Sequence, residues 1–415
     1  MTRPARRIAT VILLLLLLAA SAGAGDPNSY SVQAKALMGS GDYYKALEEL
    51  KSGFSLFPYN ETLRHDLATV YVQIAQRDLK LSRYAEAADF FAQARELYPG
   101  EPRFSLMRGV ALYLAKNYDQ ARVELTQAGE GPEALLYLGK IHYDTGDLPA
   151  ALSSWRLALE LDPENAMLKE LIAKAERELP VESKMDKGYS SMFDVSYDAE
   201  LPPGLSAQVL DALESAYNSV GSDLGLFPTT RIPVLLYTKS DYSSVTAGPD
   251  WSGGLYDGKI RLPVGGLSEI TPQMRSILFH EFTHVLVAEL THGNIPTWLN
   301  EGLAQIEERK EFNPHGRMAQ ARATKAGEPL SMAVLSGSFI SMDQAQAGLA
   351  YQQSYSIASF MVKSYGWYAM QGILKSLGER ATLEVAVGKA LADWSLDLPG
   401  VLREWREAQP GAPVE

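Results

Sequence analysis

Cysteine is absent from all 415 residues. Its absence excludes disulfide staples, thiolate metal sites, iron-sulfur clusters and cysteine nucleophiles together. Any metal must therefore be held by histidine and carboxylate. Histidine is itself scarce, with six in the chain. Positive charge is in deficit: 38 Lys and Arg stand against 50 Asp and Glu, a net charge of −12. A nucleic-acid binder needs a basic footprint to displace counterions, so no nucleic-acid partner is expected. Long apolar runs are missing, with one exception near the amino terminus. Apolar material is nonetheless ample, at 46% of residues against 21% charged. A chain of this length and composition can bury two or three cores.

The exception reads as an address. Arg3, Arg6 and Arg7 precede an apolar run from Ile8 to Ala20 that includes the leucines Leu13 to Leu18. At about 13 residues the run is shorter than the roughly 20 that span a bilayer as a helix. Ala20-Ser21-Ala22 and Ala22-Gly23-Ala24 both fit the small-x-small pattern of a cleavage site. Residues 1–24 are therefore predicted to be a secretory signal, the mature chain periplasmic or secreted, and its membrane contact transient, through this segment alone. An uncleaved anchor is the other reading of the same residues.

From 30 to 180 the chain repeats itself. The segments beginning Gly41-Asp42-Tyr43, Ser82-Arg83-Tyr84, Lys116-Asn117-Tyr118 and Gly146-Asp147-Leu148 align, and bring Ala46, Ala87, Ala121 and Ala151 into register 41, 34 and 30 residues apart. Breaks follow each alanine at Pro58, Pro99, Gly131-Pro132 and Pro163. The spacing centres on the period of the tetratricopeptide repeat, a helix-turn-helix unit with small residues where its helices cross. About four repeats and a capping helix over Asn165 to Glu178 are predicted. The long first interval implies longer helices, and in the last interval Gln127 to Gly131 shortens the second helix. Such a stack offers a groove for a peptide or protein partner. Tyr71, Tyr113, Tyr137 and Tyr143 stand at helical spacing, where aromatics serve as core more often than as groove.

Residues 181–190 are polar and read as a linker. Beyond them the pattern changes to strands mixed with helices. Phe193, Val195 and Tyr197 alternate with polar residues, Ser206 to Val220 has helical spacing, and Ile232 to Tyr237 is a short apolar strand. Asp257-Gly258, between Leu255-Tyr256 and Lys259-Ile260-Arg261-Leu262, predicts a hairpin with a two-residue turn and positive φ at both positions. A helix follows near Thr271-Pro272, proline being tolerated in the first turn. The region from 381 to 408 reads as closing helices.

The helix after Pro272 carries His280-Glu281-Phe282-Thr283-His284. Residues four apart lie on one helix face, so both imidazoles can reach one ion while Glu281 stands beside it. Leu278, Phe282, Val285 and Leu286 supply the apolar face that would bury the helix. Glu301 lies 17 residues beyond His284 in Pro296-Thr297-Trp298-Leu299-Asn300-Glu301-Gly302. A second helix from Thr297, returning past the first, would bring it to the same ion. A His2Glu set leaves the fourth tetrahedral position open, the catalytic form of a zinc site.

With these residues the region resembles the gluzincin branch of zinc metallopeptidases, specifically the peptidase MA-like domains joined to tetratricopeptide repeats. The resemblance covers about 190 to 405 and rests on HEFTH, WLNEGLA and GGLYDGKIRLP. It implies a multi-domain chain, an all-α tetratricopeptide solenoid followed by an α+β zincin-like domain over 191–408. It also implies one Zn²⁺ per chain on His280, His284 and Glu301, with Glu281 as general base. Tyr351 and Tyr355, in Tyr351-Gln352-Gln353-Ser354-Tyr355, are the candidates for oxyanion donor. Gly253 and Gly254 would let a substrate strand approach. Thermolysin-like enzymes carry an Asp four residues after the ligand Glu; Gln305 stands there in this chain, and can accept an imidazole hydrogen bond without bringing charge. No exopeptidase signature is visible. The expected function is an exported zinc endopeptidase, its substrate a peptide or protein and its repeats recruiting substrate or partner. The other readings are an inactive zincin-fold scaffold and an envelope assembly factor whose metal only stabilises the fold. His292 and His315 fit no ligand spacing.

Overall fold

The computed structural model describes residues 26–202, 204–246, 254–313, 329–339 and 342–409. Residues 1–24, expected as a secretory signal, and Gly253 lie outside them. The chain divides after Leu138 into two compact units.

In the first unit helices follow one another in pairs: α1 (Pro27–Gly39) with α2 (Tyr43–Leu56), α3 (Glu61–Lys80) with α4 (Tyr84–Leu97), and α5 (Pro102–Leu114) with α6 (Tyr118–Gln127). The pattern continues into α7 (Pro132–Asp144) and α8 (Leu148–Leu161), then the capping helix α9 (Ala166–Glu182), whose first turn is held by the Asn165 side chain. The four aligned alanines are fully buried. The turn inside each helix pair places a left-handed residue at the same aligned position: Gly41, Ser82, Lys116 and Gly146. The irregular spacings have the expected source, because α3 has 20 residues and α6 only 10. Tyr71 and Tyr143 are buried, while Tyr113 and Tyr137 meet edge to face at 5.3 Å and keep partial exposure.

The second unit is built on a five-stranded sheet ordered β1-β2-β3-β5-β4. Its strands are β1 (Asp186–Tyr189), β2 (Phe193–Tyr197), β3 (Ile232–Tyr237), β4 (Leu255–Tyr256) and β5 (Ile260–Pro263). The three central strands are parallel, and β1 and β4 pair antiparallel at the edges. The stretch 181–190, expected as linker, holds the end of α9 and β1, whose four residues pair with β2 in full register. Alternation sends Phe193, Val195, Val234, Leu236, Ile260 and Leu262 into the main core. That core is shared with α10 (Leu205–Leu224), α12 (Pro272–Thr291), α13 (Thr297–Glu311), α15 (Gln344–Gly378), α16 (Leu383–Ala390) and α17 (Leu398–Glu407). A one-turn α14 (Met332–Leu335) precedes α15, which is interrupted by the non-helical Gly366. The opposite face of the sheet holds Leu235 and Tyr237 in a smaller cluster with Tyr242 and Val245 of α11 (Lys239–Thr246), Val181 of α9 and Leu255.

The hairpin departs from expectation. Tyr256 pairs with Ile260, which leaves a three-residue loop, and of its residues Gly258 alone has positive φ. Asp257 is held otherwise, its carboxylate tied to Arg261 at 3.0 Å and Lys174 at 2.7 Å. Among the described residues no helix is long and apolar enough to cross a membrane.

Candidate metal centre

Thr271 caps α12 by accepting from the Met274 N–H, with Pro272 in the first turn. Leu278, Phe279, Phe282, Val285 and Leu286 are buried and root the helix in the core. His280 and His284 are left together on its other face. His292 and Gly293 then adopt left-handed conformations and reverse the chain. The Asn294 amide holds that reversal by donating to the carbonyl oxygens of Leu377 at 2.8 Å and Ala381 at 3.0 Å. Helix α13 returns with Trp298, Leu299 and Leu303 buried. Gly302 lies so close to α15 that a Cβ there would stand 2.5 Å from the Ser354 carbonyl oxygen. The tight packing delivers its neighbour, Glu301, to the two histidines.

The three side chains converge. The Nε2 atoms of His280 and His284 are 3.1 Å apart, and Glu301 Oε2 lies 3.5 Å from the first and 3.7 Å from the second. The outer nitrogens are both engaged. His280 Nδ1 meets Glu308 Oε2 at 3.0 Å, and His284 Nδ1 meets Asn300 Oδ1 at 3.1 Å. Both partners are acceptors, so each Nδ1 carries the ring proton and each Nε2 presents a lone pair. With both rings neutral, two lone pairs and the Glu301 oxygen, which has no hydrogen-bond partner, thus face one point. Three acceptors without a donor fit a cation, and the nitrogen and oxygen set fits zinc. The charges agree. Burial raises the Glu301 carboxyl, but the two imidazoles outweigh it and hold the group below the usual carboxylate range. Burial lowers His280, yet Glu301 and Glu308 hold it well above its ordinary value.

Glu281 is buried, at 6% exposed, and its carboxyl is pushed up chiefly by burial, with His280 and His284 opposing. Gly254 backs onto it: a Cβ at Gly254 would stand 2.8 Å from Glu281 Oε1. The missing side chain therefore makes room for Glu281, a residue of the chain itself, where the sequence had suggested room for a bound peptide.

Gln305 does not orient an imidazole. Its Oε1 accepts from Arg309 Nη2 at 2.9 Å, and Glu308 and Asn300 hold the histidines instead. Helix geometry gives the reason. Glu308, seven residues after Glu301, returns to within about 20° of its azimuth, whereas Gln305 is turned about 40° the other way. Seven-residue spacing on α13 was the signal by which Glu308 could have been found; Asn300 left none.

Tyr351 and Tyr355 both lie on α15. Burial raises the Tyr351 hydroxyl, followed by the carboxylates Glu301, Glu281 and Glu308, which places it in the field of the cluster. Its ring packs edge-on against Phe339. The Tyr355 ring lies under the Arg309 guanidinium at 3.6 Å. Between them Gln353 clamps residue 330, accepting from its N–H at 2.8 Å and donating to its carbonyl at 2.9 Å. His315 lies outside the described residues.

Residues 215–409 match the family model described as the Peptidase MA superfamily. Residues 72–132 and 132–165 match two tetratricopeptide-repeat models. Among solved structures the chain is similar to a thermophilic tetratricopeptide protein, TTC0263 of Thermus thermophilus, at 24% identity over 40% of this chain and 88% of that one, with a TM-score of 0.25. It is also similar to YrrB, described as having an unusual peptide-binding site, at 22% identity over 38% and 80%, with a TM-score of 0.30. A third is the MamA fragment of Desulfovibrio magneticus, at 19% identity over 34% and 78%, with a TM-score of 0.26. No curated protein matches the chain.

Proposed function

Because the chain joins tetratricopeptide repeats to a Peptidase MA superfamily domain, we propose that it is an exported zinc endopeptidase whose repeats recruit a peptide or protein. The observation that carries this reading is the convergence of His280 Nε2, His284 Nε2 and Glu301 Oε2 on one point.

A zinc ion held by His280, His284 and Glu301 would polarise a peptide carbonyl and acidify water beside it. Glu281, raised by burial, accepts a proton from that water as it adds to the carbonyl, and returns it to the leaving amine. A carboxyl raised by burial suits both halves of this exchange better than one at its ordinary value. Glu308 and Asn300 keep the imidazoles in the tautomer that turns lone pairs inward. Tyr351 stays protonated because burial and three nearby carboxylates oppose its ionisation, so it donates to the oxyanion as charge develops. Tyr355, stacked on Arg309, is the lesser candidate. Export rests on residues 1–24, and recruitment on the repeats.

The test counts zinc per mature chain, then compares cleavage of a mixed peptide library by wild type and Glu281→Gln. One zinc in both is expected, with cleavage reduced by about 10² to 10⁴ in the variant. Equal cleavage would reject the catalytic role. One zinc with no cleavage by either would favour the inactive scaffold.

A further inference from the structure

The sheet face turned away from the metal centre carries charge where apolar residues would pack more cheaply. Arg261, on β5, is 1% exposed, as is Glu178 of α9; Lys259 is 3% exposed, and the Glu182 side chain, at 9%, is less deep. All five N–H donors of Arg261 have partners. Nε donates to Asp257 at 3.0 Å, Nη1 to Glu182 at 2.7 Å and to the Tyr237 hydroxyl, and Nη2 to Glu178 at 2.9 Å and to the Tyr143 hydroxyl at 3.1 Å. Lys259 Nζ stands 3.3 Å from Glu182 and 4.1 Å from the centre of the Tyr143 ring. Lys174, one-third exposed on α9, reaches Asp257 at 2.7 Å.

Buried ion pairs seldom add stability over apolar residues of similar volume, because both charges lose their water. What a planar five-donor group supplies is a fixed position. The β4–β5 hairpin needs one: β4 is a two-residue edge strand, too short to set its own register by ladder bonds. The same hairpin begins at Gly254, whose backbone presses on Glu281. Two side chains in the three-residue stretch from Asp257 to Lys259 are held from α9, and Gly254, three residues before Asp257, lies against the candidate general base.

We infer that Arg261, clamped by Glu178 and Glu182 of α9, is a positioning residue that holds the hairpin, and through Gly254 the side chain of Glu281, in place. Helix α9 is then a structural arm of the metal centre as well as a cap on the repeats. The effect on turnover rests on the peptidase reading; the hold on the hairpin does not.

The full chain is compared with Glu178→Gln, Arg261→Lys and Lys174→Met. Amide hydrogen exchange is followed over 254–263 and over α12, together with zinc stoichiometry and, where peptide turnover is found, kcat and KM separately. The expected result is exchange at least about tenfold faster in the hairpin with α12 unchanged, one zinc throughout, and kcat lowered with KM little altered. Lys174→Met, which removes a partly exposed tie, should move the same readouts less, and keeps the test open should the buried variants fail to fold. Hairpin exchange equal to wild type in all folded variants would overturn the inference. So would an equal acceleration in hairpin and α12, since that marks a purely global stabiliser. If wild type and variants all lack turnover, the peptidase reading fails while the exchange data still decide this one.

Discussion

Each histidine of the centre is held at its outer nitrogen, and that contact sets what the inner one can do. Removing an outer contact leaves the ring free to turn or to change tautomer. Glu308→Gln and Asn300→Ala should each weaken zinc binding by about 10- to 100-fold, Glu308→Gln also losing charge, as read by competition with a chelator. Gln305→Ala should change affinity far less, since its partner is Arg309. A second buried carboxylate on α13 responds to pH. Burial pushes Glu307 up to about 7, against the pull of Lys310, which lies 2.7 Å from both its oxygens. A carboxyl raised above its unfolded value of 4.5 binds protons in the folded state first. Its contribution to stability is therefore full below about pH 4.5 and is lost as pH rises through about 7. Glu307→Gln should flatten that decline and gain on the order of 1 to 3 kcal/mol relative to wild type between acid and neutral pH. Melting temperatures from pH 4 to 8 check it; parallel curves for the two proteins would contradict it.

At the scale of elements the repeat turns carry visible strain. Two of the four aligned left-handed positions are glycine, and the other two are Ser82 at φ 58° and Lys116 at φ 59°. A side chain there crowds its own backbone, which glycine does not. Lys116→Gly should therefore stabilise the first unit by about 0.5 to 1 kcal/mol in denaturant titration, net of the entropy glycine loses. The helices themselves were legible. Alanine spacing gave the repeat pairs, Thr271-Pro272 gave the start of α12, and Thr297 the start of α13, because periodicity and capping are local properties of a chain. The hairpin turn was not legible, for the complementary reason: Asp257 answers to Lys174, 83 positions earlier in the chain, before it answers to its own turn preference.

At the scale of the molecule, residues 139–415 form one compact unit, so the last repeat helices belong with the sheet. A chain beginning at Pro132 keeps Tyr143, Lys174, Glu178 and Glu182, and should fold and bind zinc. A chain beginning at Ser191, at the boundary suggested by composition, leaves Arg261 and Lys259 buried without their carboxylates. Unpaired buried charge costs about 3 to 5 kcal/mol, and this shorter chain should be unfolded or insoluble, as judged by circular dichroism and gel filtration. Equal folding of both would place the boundary at 190 after all.

What the sequence determined by itself is what can be written along one helix or one repeat. The absence of cysteine forced the metal candidates onto histidine and carboxylate, the four-residue spacing put His280 and His284 on one face, and the alanine register set the repeats. The tertiary structure decided which partners meet across elements: Glu308 and not Gln305 behind His280, Gly254 against Glu281, and α9 bound to β5 through Arg261. Hydrogen bonds and ion pairs act over a few ångströms of space, and residues 28 or 83 positions apart become neighbours only when the core has packed.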